Sequence, residues 1–338
     1  MMPRQVKTSH LILGAILVAS ASLGFGCSTP PSTPQASTPE AAAPKATEET
    51  AQTTQTTQTA QTAQNKLTIV FPNRGEAGEA QAKANAVAAF VSKQMGTPVE
   101  AIVADDTAAV EALRANRADV AFLSSRPALK AEQLANARLY LAEVRPNYSG
   151  GHTYKSLFIV PKDSPLQDKG SGKATLEQLK GKRMAFVSPT SGSGFVFPVG
   201  ELVKEGLVPG KDRLEGFFGK VSYGGDYTGA IQSVLRGQAD VAAVSEYALY
   251  PPYISEAEKS KIRVLYSIAG VPAHGVAIDD DVPEATRTKL ITALMELNKP
   301  ENQSLLKDLS NATELVKVDH DKHLSSVRTA LKQAGVEL

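Results

Sequence analysis

Apolar positions change period in a regular order from residue 66 onward. Leu67-Thr-Ile-Val-Phe71 is a continuous apolar run ending at Pro72, which predicts a buried strand. From Ala77 to Met95 the residues Ala84, Val87, Ala88, Val91 and Met95 recur at helical spacing, and Gly96 supplies the stop. Val99–Val103 predicts a second strand, Thr107–Ala115 a helix and Asp119–Leu123 a third strand. The alternation resumes with a helix over Leu176–Leu179, a strand over Arg183–Val187, helices over Phe195–Glu205 and Tyr227–Arg236, and a strand over Asp240–Val244. Strands and helices in this order predict an α/β fold with mostly parallel sheets covered by helices.

Two stretches repeat one design. Val110-Glu-Ala-Leu-Arg-Ala-Asn-Arg-Ala-Asp-Val-Ala121 aligns with Ile231-Gln-Ser-Val-Leu-Arg-Gly-Gln-Ala-Asp-Val-Ala242. Each is an amphipathic helix, a turn residue (Asn116 or Gly237), then Ala-Asp opening an apolar strand. The pair points to two lobes of similar construction. Ligands of open α/β sheets lie beyond the carboxyl ends of strands, so a cleft between the lobes is expected. The residues to watch are Asn73-Arg74, Asp105–Thr107, Ser124-Ser125-Arg126, Ser188–Gly194 and Ser245-Glu246-Tyr247.

The first 65 residues follow other rules. Arg4 and Lys7 precede an apolar run, Leu11–Gly26, which is shorter than the roughly 20 residues of a membrane-spanning helix. This reads as a signal peptide over 1–26. Cys27 follows the run directly and resembles the lipidated cysteine of bacterial lipoproteins; cleavage after Ala19-Ser-Ala21, leaving a free thiol, is the alternative. Residues 27–65 form a Pro/Thr/Gln/Ala stretch with no Leu, Ile, Val or aromatic residue, which predicts a disordered tether. Cys27 is the only cysteine, which excludes an intramolecular disulfide framework and a cysteine-cluster zinc site. A net charge of +1 argues against nucleic acid as a partner.

The chemistry gathers in Ser188-Pro-Thr-Ser-Gly-Ser-Gly194, between a predicted strand and a predicted helix. A helix start exposes backbone N–H groups and partial positive charge, which suits an anion. Ser191 and Ser193 add hydroxyls, and Gly192 and Gly194 allow close backbone approach. The lysine of a P-loop is absent. The same residues would also serve as a plain capped turn.

Ser191-Gly-Ser-Gly-Phe-Val-Phe-Pro198 is similar to the S-T-S-G-[FY]-x-x-P motif of the PhnD-like substrate-binding proteins of phosphonate, phosphite and phosphate ABC transporters. Gly224-Gly225, Ala230-Ile-Gln232 and Gly237-Gln-Ala-Asp-Val-Ala-Ala243 extend the resemblance, as do Leu179-Lys-Gly-Lys-Arg183 and Ile159-Val-Pro-Lys-Asp163. It covers about residues 66–300. It implies a two-lobed, type II periplasmic-binding-protein fold that closes on an oxyanion and presents it to a membrane permease. Ser191, Gly192 and Ser193 fall where the family grips phosphonate oxygens, with the middle hydroxyl lost. Tyr154 matches a family aromatic near the cleft. Asp226 or Tyr227 stands at a usual histidine, and Glu246 near an acid that faces the amine of aminophosphonates. His274 stands where those binders carry Asp, and Thr107 where they carry Tyr. Those last two changes disfavour an aminoalkyl phosphonate.

Arg74 and Arg126, and Ser124 beside the latter, follow first-lobe strands and are candidates to meet the ligand; a solvated surface arginine is the alternative. The expected lobes are 66–157 with 268–338, and 158–267. The expected partners are a small oxyanion, an ABC permease and, through lipid on Cys27, the membrane; a monomer without cofactor or metal is expected. Asp319-His-Asp-Lys-His323 has ligand-type residues, but Asp321 reads as the cap of a terminal helix over Lys322–Ala334. Asp279-Asp-Asp281 reads as a solvated cap, and Tyr247, Tyr250 and Tyr253 around Pro251-Pro252 as a packed loop. Without G-x-S-x-G, a hydrolase using Ser191 or Ser193 with His152 or His274 has little support. A sulfonate or carboxylate binder and a sensor-coupled binding protein remain alternatives.

Overall fold

The apolar runs fold as strands and the helical periodicities as helices in a computed structural model that describes residues 66–73 and 77–338. The signal run, Cys27, the 27–65 tether and Arg74 lie outside the described residues. The chain first lays down β1 (Leu67–Pro72), α1 (Ala77–Met95), β2 (Val99–Ala104), α2 (Asp106–Arg114), β3 (Val120–Leu123), α3 (Ser125–Ala135) and β4 (Arg138–Val144). It continues through β5 (Thr153–Pro161), α4 (Gly172–Glu177), β6 (Arg183–Phe186), a π-turn (Gly192–Val196) and α5 (Phe197–Lys204). Next come α6 (Leu214–Phe217), β7 (Lys220–Tyr223), α7 (Tyr227–Leu235), β8 (Val241–Ser245), α8 (Glu256–Lys259) and β9 (Ile262–Pro272). The last elements are β10 (Gly275–Ile278), α9 (Glu284–Met295), α10 (Gln303–Ser310), β11 (Glu314–Lys317) and α11 (His320–Ala334).

Two sheets result, ordered β11-β4-β10-β3-β1-β2 and β7-β6-β8-β5-β9. Only the neighbours of β1 and β6 pair in parallel, so each sheet is mixed rather than mostly parallel. The reason is the route of the chain: β10 and β11 run back against β3 and β4, and β5 runs against both β8 and β9. The β5–β9 pair extends from Thr153↔Pro272 to Pro161↔Ile262 and so runs through the expected lobe boundaries at 157/158 and 267/268. The predicted Leu176–Leu179 helix starts earlier, at Gly172, because the Ser171 side chain caps it by accepting from Ala174 N.

The repeated helix–turn–Ala-Asp stretch has a common structural purpose. Asn116 and Gly237 both take left-handed backbone, at φ 50° and 66°, to turn the chain back into the sheet. Asp119 Oδ2 then accepts from Thr68 N at 2.6 Å, and Asp240 Oδ2 from Arg183 N at 2.8 Å. In each lobe one carboxylate thereby fixes the start of the neighbouring parallel strand, β1 or β6, and sets where its far end meets the cleft.

The C-terminal helix α11 follows the first sheet but also packs on the second lobe. Its Leu324, Val327 and Leu331 belong to one buried cluster with Phe195, Val196 and Val199 as well as Leu129 and Leu139. Gly200 permits the approach of α5: a Cβ there would stand 3.1 Å from the Ala330 carbonyl oxygen. The cap of α11 is Asp319, whose Oδ1 accepts from Lys322 N at 2.8 Å, not Asp321. Asp321 lies inside the first turn and pairs with Arg138 instead.

Candidate functional site

β6 ends at Phe186 and aims the chain at the space between the lobes. Ser191 keeps extended backbone, φ −69° and ψ 128°, and its Oγ accepts from Gly194 N at 3.1 Å. The helix therefore opens at Gly192, as a π-turn, rather than at Phe195 as its apolar residues suggest. Gly194 is set by space: a Cβ there would lie 2.4 Å from Val187 Cγ2 and 2.6 Å from Val187 Cβ.

Ser193 sits beneath this cradle, 1% exposed. Its carbonyl accepts from Ser156 Oγ at 2.6 Å, and its hydroxyl lies 2.8 Å from Tyr227 Oη. The Tyr154 hydroxyl also bonds the Ser193 side chain. Tyr247 Oη donates to Tyr227 Oη at 3.2 Å, and the Tyr154 and Tyr247 rings meet edge-on at 5.1 Å. Burial, and then the neighbouring Tyr227, hold the Tyr154 and Tyr247 phenols well above the ordinary tyrosine range, so both stay protonated. Tyr154 and Tyr247 thus offer neutral hydroxyls.

A buried ion pair backs it. Arg145, just past β4, donates from Nε and Nη2 to Glu143 Oε2 at 3.1 and 2.6 Å. The guanidinium lies 5.5 Å from the Tyr148 ring and 5.8 Å from the Tyr247 ring, which is cation–π range. Burial acts to lower the Arg145 pKa, but Glu143, Tyr148 and Tyr247 together outweigh it and the net shift is upward. His274 Nδ1 is 3.5 Å from Arg145 Nη2.

Ser193, Tyr154 and Tyr227 come together, with Ser191, Gly192 and Gly194 forming the rim above them. Of Asp226 and Tyr227, Tyr227 joins the cluster. Asp226 instead caps α7, accepting from Gly229 N at 2.6 Å, and is exposed. Glu246 accepts from Ser149 N at 2.7 Å and shares a cavity with Lys155 and Leu157, the face of β5 opposite Tyr154 and Ser156. It holds the β4–β5 connection, and Tyr247 reaches the cleft in its place. Ser124 Oγ is bound to Asp106 Oδ2 at 2.6 Å. Arg126 spans the lobes by donating to Thr190 O at 3.2 Å and to Glu337 O at 2.7 Å. Exposed Thr107 lines a cavity of about 240 Å³ with Arg126 and Thr190. His274 lies beside Arg145.

Sequence reading missed Glu143, Arg145 and Ser156 and set Tyr247 aside as loop packing. Two opposite charges two residues apart in the apolar Leu139-Tyr-Leu-Ala-Glu-Val-Arg145 place both on one strand face, which is the signal that marks them.

The ligand-type residues of the C-terminus do converge, since Glu132, His320 and Asp321 bring donor atoms within 4.8 Å of one another. Their chemistry does not suit a cation. Arg328 lies 2.5 Å from Glu132 Oε2 and 3.5 Å from Asp321 Oδ1, and Arg138 lies 2.6 Å from Asp321 Oδ2. His320 Nδ1 accepts from Leu139 N at 2.8 Å, so the ring proton sits on Nε2, facing Glu132.

A family model described as "ABC transporter, phosphonate, periplasmic substrate-binding protein" matches residues 69–324. The phosphonates-binding periplasmic protein of Escherichia coli is 27% identical over 226 residues, or 65% of this chain and 62% of its own length. The phosphate-import protein PhnD of Mycolicibacterium smegmatis is 27% identical over 157 residues, 46% of this chain and 44% of its own length. The match thus spans less than two thirds of either relative. PhnD1 of Prochlorococcus marinus in complex with methylphosphonate superposes with a TM-score of 0.62 at 19% identity, covering 80% of this chain and 98% of that one. A Xanthomonas citri protein bound to ATP superposes with a TM-score of 0.65 at 19% identity, covering 80% and 98%. These superpositions identify the fold as that of the periplasmic binding proteins.

Proposed function

The chain belongs to the family of periplasmic substrate-binding proteins of phosphonate ABC transporters, and from that premise we propose that it captures a small phosphorus oxyanion outside the cytoplasm and delivers it to a membrane permease. The ligand class is phosphate, phosphite or a phosphonate. Its oxygens bind at Ser191–Gly194, and the lobes, 66–157 with 268–338 and 158–267, close over it. Among the described residues no helix is long and apolar enough to cross a membrane. Contact with the bilayer runs through lipid on Cys27 and the 27–65 tether.

One observation carries this reading: a buried serine hydroxyl at a strand's carboxyl end, 2.8 Å from a tyrosine hydroxyl, under a loop to which an arginine of the other lobe donates. A tetrahedral anion takes hydrogen bonds from such neutral donors without a counter-charge. Hydrolysis finds no support in the same place, because the Ser193 hydroxyl faces the Tyr227 hydroxyl and the Tyr154 phenol, which burial holds protonated, instead of a carboxylate or imidazole base. His274 stands where aminophosphonate binders carry Asp, and Glu246, near their other acid, is turned to Ser149 N, which favours a ligand without an amine.

The test is calorimetric titration of the full-length protein with phosphate, phosphite, methylphosphonate and sulfate. Binding of at least one phosphorus oxyanion in preference to sulfate supports the reading; binding of none of them removes it.

A further inference from the structure

Next to the hydroxyl cluster the lobes enclose a cavity of about 560 Å³. Pockets of ~300–1,000 Å³ accommodate small organic ligands, so this space is larger than a lone tetrahedral anion requires. Tyr247 and Tyr253 wall it from the second lobe, and Asn73, Lys83, Arg145 and Lys307 from the first. Tyr247 belongs to both spaces, because its hydroxyl donates to Tyr227, which meets Ser193. A molecule whose head rests on the cradle therefore has room to extend past Tyr247.

The charges along that path are mostly positive. Among the described residues, Lys83, Arg145 and Lys307 line the cavity against one lining carboxylate, exposed Asp308. Two further carboxylates each share one of these cations: buried Glu143 is engaged by Arg145, and exposed Glu79 pairs with Lys83 at 2.7 Å. Glu246, the acid that the sequence suggested for an amine, is turned to Ser149.

We propose that this cavity receives the tail of the ligand and that the tail is anionic, as in a phosphonate or phosphate ester carrying a second acid group. The inference rests on the oxyanion reading above and narrows it. Lys307 contributes an exposed charge, Lys83 a partly exposed one shared with Glu79, and Arg145 a buried one shared with Glu143.

Calorimetry on the full-length protein tests it with methylphosphonate, phosphonoacetate and 2-aminoethylphosphonate as probes. Phosphonoacetate is expected to bind about ten-fold more tightly than methylphosphonate, and 2-aminoethylphosphonate more weakly than either. The double variant Lys83→Gln, Lys307→Gln is expected to weaken phosphonoacetate by about ten-fold and methylphosphonate by less than about two-fold. Lys307 is exposed and Lys83 partly exposed, so the variant is expected to retain the fold. If methylphosphonate binds while phosphonoacetate gains nothing, or if the amine binds most tightly, the anionic tail is wrong and the oxyanion reading stands. If no phosphorus compound binds, both fall.

Discussion

The Ser193 hydroxyl lies 2.8 Å from the Tyr227 hydroxyl, and the two come from different elements, the π-turn after β6 and the first residue of α7. The contact ties the cradle to a helix that also receives Tyr247. Tyr227→Phe removes the oxygen while keeping the ring, which packs edge-on against Tyr247 at 5.5 Å and Tyr253 at 5.7 Å. One such hydrogen bond contributes about 1 kcal/mol. The expected outcome is a Kd for the preferred oxyanion raised roughly five- to ten-fold, with the unliganded melting temperature lowered by a few degrees because Ser193 and Tyr247 both lose this partner. Calorimetry with a parallel melting curve checks it. An unchanged Kd would remove the phenol from the site.

Arg126 acts on the cradle through the backbone. It donates to the carbonyl of Thr190, one residue before Ser191, and to that of Glu337 beyond α11. Loss of both bonds in Arg126→Gln frees the cradle loop from the first lobe. We expect the Kd to rise about ten-fold, for bonds worth roughly 1.5 kcal/mol together. Arg126→Lys retains one donor and is expected to recover part of the loss. Small-angle scattering with saturating ligand reads the same effect as incomplete compaction. Equal affinity in all three proteins would show that Arg126 is only a surface contact.

The elements that mattered most for position were legible because they are short and strongly patterned. β1, β3, β6 and β8 are apolar runs with turn residues after them, and the Ala-Asp repeat marked the starts of β3 and β8. The cradle was legible for the same reason, since serine and glycine between a strand and a helix have few other uses. What escaped was orientation. Glu246 and Tyr247 are adjacent, and only the fold decides which of them turns toward Ser149 and which toward Tyr227. Arg145 escaped because its partner Glu143 lies only two residues away, and that both face the cleft is visible only once β4 is known to end there.

Gly194 offers a steric test of the cradle. A methyl group there must displace Val187, whose Cγ2 and Cβ it would meet at 2.4 and 2.6 Å, or lift the loop off the end of β6. Overpacking of this kind costs about 1–3 kcal/mol. Gly194→Ala is therefore expected to lower the melting temperature by several degrees and to abolish oxyanion binding. Gly192→Ala is the control, because a Cβ at Gly192 meets nothing within 4 Å. It should retain the fold and the parent melting temperature. The reverse ranking of the two variants would mean that close approach at Gly194 is unimportant.

The acidic run at 279–281 predicts a pH effect remote from the cleft. Asp279, read as solvated from the sequence, is 4% exposed. Burial and then the charge of Asp281 push its carboxyl from an ordinary 3.8 up to about 6. The folded chain then binds this proton more tightly than the unfolded chain does. Stability from the group is complete below about pH 4 and is lost as the pH rises through about 6. Asp279→Asn keeps the side chain uncharged and retains an oxygen to accept from the backbone of Asp280 and Asp281. The melting temperature of the variant is expected to match the parent near pH 4, to exceed it increasingly up to about pH 7, and to keep a constant advantage beyond. A difference independent of pH over that window would show that Asp279 titrates as an ordinary surface carboxylate.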